Sequence, residues 1–198
     1  MVQRSSTYVV TIKSNNAAFS PLYGENSPAN EDSDVLFLGM PNAVLKKLQV
    51  EGTSALCEAD KEILAGLEKA GFKTDKGIDD SGIWFKYLQR GGGYYLDSGC
   101  SQLIADGKIA IKQGQEIVEV LPTGLKLTDG EILEADEIVW ATGYGSMRSH
   151  CRTIFGDKVA DQVHDVWGMD EEGEVRTIRM LALQIKAIEE GLSGYEDL

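Results

Sequence analysis

Apolar and polar positions follow the period of β-strands in two parts of the chain. Residues 7–12 are rich in β-branched and aromatic side chains, which predicts a strand near the start of the sequence. Between residues 108 and 140, short apolar stretches alternate with turn residues, which predicts a meander of short strands. Asp129 and Gly130 lie between two of these stretches and predict a hairpin turn.

Residues 138–141 form an apolar run that stops abruptly at Thr142 and Gly143. A run bounded by turn residues predicts a buried strand whose carboxyl end opens onto a loop. Small residues at such an end allow a backbone to approach a ligand closely, because glycine has no Cβ. Ligands of open α/β sheets bind outside the carboxyl ends of the strands, so this stretch points to a nucleotide cofactor.

Apolar residues at helical spacing predict helices in three other parts of the chain. The predicted helices span residues 58–70, 155–167 and 179–191, and a shorter one is expected from Asn42 to Gln49. On the second of these helices, Val159, Val163 and Val166 share one side. Residues 13–34 are polar and contain two prolines and a glycine, which predicts a long loop.

The charge of the chain excludes several classes of partner. Its 198 residues carry a formal net charge of −13, and such a field repels phosphate backbones and anionic lipid. We therefore expect no binding to nucleic acid or membranes. The sequence has no apolar run long enough to span a bilayer and no signal-peptide pattern, so a cytoplasmic location is expected.

Metal binding and disulfides are not expected from the pattern of cysteine and histidine. The three cysteines, Cys57, Cys100 and Cys151, are far apart, and no CxxC pair is present. His150, Cys151 and His164 lack the spacing of a zinc site. The run of three glycines at residues 91–93 is typical of a flexible turn, since it lacks the spacing of a dinucleotide-binding fingerprint.

Three segments carry a resemblance to a known family. The first is residues 2–10, in which Arg4 precedes Ser5 and Ser6; the second comprises residues 93–100 and 106–109; the third is residues 136–144, which contain Ala-Thr-Gly. In this order the segments resemble the flavin-containing monooxygenases, including the plant auxin-forming branch. Those enzymes have one dinucleotide-binding domain for FAD and a second, nested within it, for NADPH.

The resemblance implies an α/β fold, namely part of a Rossmann-like flavoprotein with two dinucleotide-binding domains, a β-meander and no N-terminal FAD-binding half. Residues 1–100 would be the remainder of the NADPH-binding domain with an inserted helical segment. Residues 101–198 would hold the meander and the C-terminal part of the FAD-binding domain. NADPH would reduce FAD, and O2 would then oxygenate a small organic substrate.

The resemblance also assigns binding roles to two groups of residues. Arg4, Ser5 and Ser6 would hold the 2′-phosphate of NADPH, which suits the chemistry of a guanidinium fork and hydroxyl donors. The junction between the cofactors would be lined by Ala141, Thr142, Gly143 and Tyr144. No catalytic residue is assigned, because the cofactor carries the reaction and the protein orients it.

The chain departs from the family pattern in two places. It contains no G-x-G-x-x-G sequence, and the turn that precedes the family's terminal helix is missing where residues 174–178 run into residue 179. We therefore expect a truncated fragment that is inactive alone and leaves Val9, Val10 and Ile12 on an exposed sheet edge. Two alternatives remain open: a fragment of a pyridine-nucleotide-disulfide-type FAD/NAD(P)H reductase, and a non-catalytic remnant that acts as an interaction module.

Overall fold

The protein is mixed α/β and divides into two compact units. The computed structural model describes residues 1–143, 145–171, 173–175, 185–186 and 190–191. Unit 1 comprises Met1–Lys86 and Gly93–Ala141, and unit 2 comprises Tyr87–Gly92 and Thr142–Leu198.

The described strands are β1 (Val2–Gln3), β2 (Thr7–Thr11), β3 (Thr74–Asp75), β4 (Tyr94–Asp97), β5 (Lys112–Gln113), β6 (Ile117–Leu121), β7 (Gly124–Leu127) and β8 (Ile132–Glu134). The described α-helices are α1 (Ile12–Tyr23), α2 (Asn30–Leu38), α3 (Asn42–Ala59), α4 (Lys61–Lys69), α5 (Gly82–Arg90), α6 (Cys100–Ala105), α7 (Met147–Phe155) and α8 (Asp157–Ala160). No helix among the described residues combines the length and the apolar content needed to cross a bilayer.

A three-stranded parallel sheet forms the centre of unit 1, and β2 is its middle strand between β3 and β4. The predicted strand at residues 7–12 is therefore confirmed over Thr7–Thr11. The expectation that Val9 and Val10 lie on an exposed edge is wrong, because β2 is the middle strand, β4 pairs with both residues, and their side chains are 3% and 1% exposed. Ile12 is not in the sheet; it is the first residue of α1 and is 41% exposed.

Side chains are buried on both faces of this sheet, since the successive β2 residues Tyr8, Val9 and Val10 are all buried. Val9 packs in a buried cluster with Leu67, Phe72 and Ile104, which come from α4, the segment after it, and α6. Leu67 lies in the predicted helix at residues 58–70, but that helix is interrupted: α3 ends at Ala59 and α4 begins at Lys61. The short helix expected from Asn42 is likewise the first part of the longer α3.

The loop predicted for residues 13–34 is wrong, because α1 and α2 occupy most of it. The hydroxyl of Thr11 accepts a hydrogen bond from the backbone N–H of Ser14 at 3.1 Å and caps α1. The hydroxyl of Ser33, fully buried, donates to the carbonyl of Leu22 at 2.6 Å and joins the two helices. These contacts stabilise helices that the polar composition alone does not predict.

The predicted meander is confirmed in its antiparallel part. The strands β6, β7 and β8 pair in sequence order, and the turn between β7 and β8 contains Gly130 with a φ of 85°. In that turn the N–H of Gly130 donates to the carbonyl of Leu127 at 3.0 Å. The earlier part differs from the expectation, since β5 is only Lys112–Gln113 and pairs in parallel with β1.

Unit 2 has a small apolar core. The predicted helix at residues 155–167 is wrong in extent, because α7 ends at Phe155 and α8 at Ala160, with Gly156 at a φ of 80° between them. The predicted apolar side is nevertheless present: Val163 and Val166 are buried and Val159 packs against them, in one cluster with Cys151 and Ala160. The helix predicted for residues 179–191 lies mostly outside the described residues.

Candidate functional site

The turn at residues 4–6 connects β1 to β2, and the residues at both of its ends are hydrogen-bonded to the backbone of Lys73. The side-chain amide of Gln3 accepts a hydrogen bond from the N–H of Lys73 at 2.8 Å and donates to its carbonyl at 2.9 Å. At the other end, the N–H of Thr7 donates to that same carbonyl at 3.1 Å. Gln3 is only 7% exposed. Its side-chain amide bonds both the N–H and the carbonyl of Lys73, as the backbone of a neighbouring strand would.

Three predicted site residues, Arg4, Ser5 and Ser6, form this turn. Arg4 and Ser5 are exposed, whereas Ser6 is half-buried and its hydroxyl hydrogen-bonds the carboxylate of Asp75. The guanidinium and the Ser5 hydroxyl are therefore accessible to an anion, and the Ser6 hydroxyl already has an acceptor. An arginine fork beside a hydroxyl can donate several charge-assisted hydrogen bonds to one phosphate.

The negative charge of Asp75 is compensated by a buried lysine. The ammonium of Lys86, which is 3% exposed, lies 2.6 Å from the Asp75 carboxylate and also donates to the carbonyl of Gly93 at 2.8 Å. Burial acts to raise the pKa of Asp75, but hydrogen bonds from Lys86, Ser6 and the N–H of Gly77 outweigh it and hold this pKa below its ordinary value. The ion pair therefore leaves little net charge to oppose an anion at the turn.

The turn also lies at the carboxyl end of a parallel strand. β1 and β5 pair in parallel, with the N–H of Gly114 donating to the carbonyl of Gln3 at 2.9 Å. Gly114, directly after β5, has a φ of 76° and is exposed. The carboxyl ends of both strands thus lead into exposed turns at one edge of this two-stranded sheet, whereas the turn at residues 4–6 precedes β2 and lies at the amino end of the three-stranded sheet.

A second polar cluster, which no sequence pattern indicates, lies at the carboxyl end of β2. The carboxylate of Asp60, 7% exposed, accepts from the N–H of Thr11 at 2.7 Å, from its hydroxyl at 2.9 Å and from the hydroxyl of Ser14 at 2.6 Å. Asp60 occupies the break between α3 and α4 and so connects that break to the start of α1. All of the contacts are internal, and we assign this cluster a structural role.

Two groups beside this cluster have a raised pKa. Burial raises the pKa of the Tyr8 phenol, and the nearby acidic groups of Cys57 and Asp60 add to the effect. Burial also raises the pKa of the Cys57 thiol. A thiol with a raised pKa holds little thiolate at neutral pH, which argues against Cys57 as an activated nucleophile.

The other group of predicted site residues lies in an exposed segment. The strand predicted at residues 138–141 is wrong: the segment has no regular secondary structure, and Val139 and Trp140 are 88% and 54% exposed. An apolar run predicts burial, but burial requires a neighbouring strand, and β8 ends at Glu134 before the run begins. Ala141, Thr142 and Gly143 are exposed as well, and Tyr144 lies outside the described residues.

The two groups of predicted site residues are not one described site. Arg4, Ser5, Ser6 and Ala141 belong to unit 1, whereas Thr142 and Gly143 belong to unit 2. The clamped turn at residues 4–6 is the group with defined hydrogen-bonding geometry. Lys73 is a residue of this turn's surroundings that the sequence did not indicate, because its contacts bridge 70 positions.

The three residues considered as metal ligands differ in their exposure to solvent. Cys151 is buried in the core of unit 2, whereas His150 and His164 are exposed. Within the described part of the chain, no group of three histidine, cysteine or acidic side chains has an arrangement that could hold a metal ion. The three cysteines are free thiols.

No protein-family model matches this chain, and no curated protein was found to match it.

Proposed function

We propose that the chain is part of an FAD- and NADPH-dependent flavin monooxygenase, with the turn at residues 4–6 as the binding site for the 2′-phosphate of NADPH. One observation carries this proposal: Arg4 and Ser5 are exposed on a turn that Gln3 and Lys73 hold in place at the carboxyl end of a parallel strand. The sequence resemblance supplies the rest, namely the Rossmann-like fold and the oxygenation chemistry.

The residues of the turn fit a phosphate monoester. Arg4 offers a planar fork of donors and Ser5 a hydroxyl donor, and the turn needs no large movement to expose them. NADPH supplies a hydride to a flavin when both are bound. The contribution of this chain's residues would be to bind and orient the nucleotide and to select the phosphorylated form.

The described residues do not offer a comparable site for FAD. A flavin pyrophosphate is usually bound by a glycine-rich turn that leads into a helix N-terminus, and the sequence contains no G-x-G-x-x-G. Gly99 does lie between β4 and α6, but α6 has only six residues. We therefore assign no residue of this chain to the flavin and derive no step from it.

Nucleotide titration of Arg4→Gln tests the proposal. The unchanged 198-residue chain should bind NADPH at least about tenfold more tightly than NADH, and Arg4→Gln should lose about tenfold to a hundredfold in NADPH affinity, the range of a charged hydrogen-bonded contact. Its affinity for NADH should not change. Arg90→Gln, at an exposed arginine of α5, is the control and should bind both nucleotides as the unchanged chain does. Equal affinity of the unchanged chain for the two nucleotides would refute the proposal.

A second candidate, a non-catalytic interaction module, is favoured by the exposed apolar run at residues 138–141. Val139 and Trp140 are more than half exposed within one short segment, and adjacent apolar side chains of this kind mark interaction surfaces. This function predicts self-association or partner binding without nucleotide selectivity. Sedimentation velocity over a range of concentrations, beside the nucleotide titration, distinguishes it from the first.

A further inference from the structure

The outward face of α2 carries aliphatic side chains where a helix normally presents polar ones to solvent. Val35, Leu36 and Leu38 are 72%, 57% and 61% exposed. Single exposed aliphatic residues are common at protein surfaces. Three on one side of a nine-residue helix form a patch, and patches of this kind mark sites of interaction.

The other side of α2 is already packed against unit 1. Ser33 is fully buried, and its hydroxyl donates to the carbonyl of Leu22 at 2.6 Å. Phe37 packs edge-on against Phe19 and Trp84, with ring centroids 5.6 and 4.9 Å away. Since successive residues of a helix are rotated by about 100°, Ser33 and Phe37 lie opposite Val35. The aliphatic face is therefore exposed on a helix that is anchored by its other side.

The beginning of α3 adds to the exposed aliphatic surface. Val44 and Leu48 lie one turn apart on α3 and are 49% and 50% exposed. Only residues 39–41 separate α2 from α3. The α2–α3 surface is defined by the five exposed aliphatic residues Val35, Leu36, Leu38, Val44 and Leu48.

This surface is bordered by carboxylates. Residues 14–45 contain four acidic residues and no lysine, arginine or histidine. The exposed Glu31, Asp32 and Asp34 each lie four residues before one of the exposed aliphatic residues of α2, and thus on the same side of the helix. The phenol of Tyr23 donates to Asp34 at 2.8 Å, and this neutral donor leaves the negative charge in place.

The lysines of α3 do not cancel this negative charge. Lys46 is paired with Asp79 at 2.5 Å. Lys47 is exposed and lies four residues before the exposed Glu51, on the same side of α3. The α2–α3 surface therefore combines aliphatic side chains with a net negative charge.

We propose that the α2–α3 surface binds an amphipathic helix of a partner protein, with aliphatic residues along one side of that helix and lysine or arginine beside them. The i,i+3 spacing of Val35 and Leu38 and the i,i+4 spacing of Val44 and Leu48 are those of ridges that pack against another helix. Cations beside the partner's aliphatic residues would pair with the carboxylates of α2. A second copy of this chain is a poor match, because two such anionic surfaces repel each other, as anionic lipid also does.

A synthetic leucine–lysine peptide, with its leucines on one face of a helix, is the probe that tests the proposal. The unchanged 198-residue chain should bind it at least about tenfold more tightly than a scrambled peptide of the same composition. The double variant Val35→Ser with Leu38→Ser should lose at least about tenfold in affinity, because two aliphatic contacts are removed. Val118→Ser with Val120→Ser, at valines of β6 that are 55% and 58% exposed, is the matched control and should bind as the unchanged chain does.

A second pair of substitutions tests the contribution of charge. Glu31→Gln with Asp32→Asn should weaken binding of the probe about twofold to tenfold at low salt, the effect of exposed ion pairs. The difference from the unchanged chain should shrink at high salt, because salt screens exposed charges. Isothermal titration calorimetry gives the affinities, and a thermal melt of each variant verifies that it is folded.

The other outcomes would overturn the proposal. Equal affinity for the scrambled peptide would show attraction by net charge alone. An unchanged affinity of the folded variant Val35→Ser with Leu38→Ser would place the binding elsewhere. Self-association of the unchanged chain in sedimentation velocity, abolished by the same variant, would identify a second copy as the occupant. Binding to phosphatidylcholine vesicles that this variant abolishes would identify a lipid surface instead.

Discussion

Replacing Lys86 with methionine should destabilise unit 1 more than any surface charge substitution. Lys86 is 3% exposed, and its ammonium lies 2.6 Å from Asp75 and 2.8 Å from the carbonyl of Gly93. Breaking a buried pair by removing one partner costs about 3–5 kcal/mol in full burial. The Asp75 side chain is 24% exposed and keeps the donors Ser6 and Gly77, so we expect a smaller loss, about 2–3 kcal/mol of unfolding free energy.

Urea unfolding monitored at Trp84 measures this loss in unit 1. Substituting Trp140 and Trp167 with phenylalanine leaves one tryptophan as the reporter. The double variant Lys86→Met with Asp75→Asn should recover much of the stability, because no uncompensated charge remains. A single variant that loses less than about 0.5 kcal/mol, within the usual range of surface substitutions, would refute the reasoning.

An exposed ion pair of the same chain gives the matched control. Lys108 and Asp106 lie 3.4 Å apart with side chains 65% and 39% exposed. Lys108→Met should change the unfolding free energy by less than about 1 kcal/mol, because water screens this pair and the ordering of two side chains offsets its attraction. The contrast between the two lysines isolates burial as the cause.

The dependence of stability on pH gives an independent reading of the same pair. The pKa of Asp75 is lower in the folded than in the unfolded chain, so the unfolded state binds the proton more tightly. The contribution of Asp75 is therefore fully present above its unfolded pKa, about 3.9, and is lost as pH falls through the lower folded pKa. The stability difference between the unchanged chain and Asp75→Asn should decrease over that acidic range and stay constant from pH 5 to 7.

Two further predictions concern the other polar cluster and the exposed run. Asp60→Asn should lower the unfolding free energy by about 1–3 kcal/mol, because an amide nitrogen replaces one acceptor oxygen of a buried carboxylate that receives three hydrogen bonds. An unchanged thermal melting temperature would contradict this structural role. Val139→Asp should reduce self-association at high protein concentration, measured by sedimentation velocity. It should not lower the melting temperature, because this side chain is 88% exposed. A large loss of stability would show that Val139 is buried in solution.

The sequence predicts elements whose own residues determine their structure. β2 consists of residues with strong strand propensity, and the β7 to β8 hairpin has Asp-Gly in its turn, so both were predictable locally. α1 and α2 were not, because they depend on contacts such as the aromatic packing of Phe19 on Phe37, with ring centroids 5.6 Å apart. The polar composition of a segment indicates its average exposure to solvent, but it does not show which of its residues contact each other.

The candidate site shows the same limit. The resemblance predicts Arg4, Ser5 and Ser6 as phosphate-binding residues, but no pattern in the sequence indicates that the Gln3 amide bonds Lys73 across 70 positions or that Lys86 pairs with Asp75. The strand predicted for residues 138–141 is wrong for a related reason. Its composition suits a strand, and composition cannot specify whether a neighbouring strand is present.

The bridge between Gln3 and Lys73 has a consequence for the order of folding events. It closes a loop of 70 positions, and closing a flexible loop of that length costs about 4 kcal/mol of chain entropy at 25 °C. Contacts so distant in sequence form slowly unless intervening structure brings their ends together, so the turn should acquire its shape only after α4 has packed on the sheet. The shape of this turn is in that sense a late product of folding, and hydrogen exchange at the Lys73 amide would report whether it is complete.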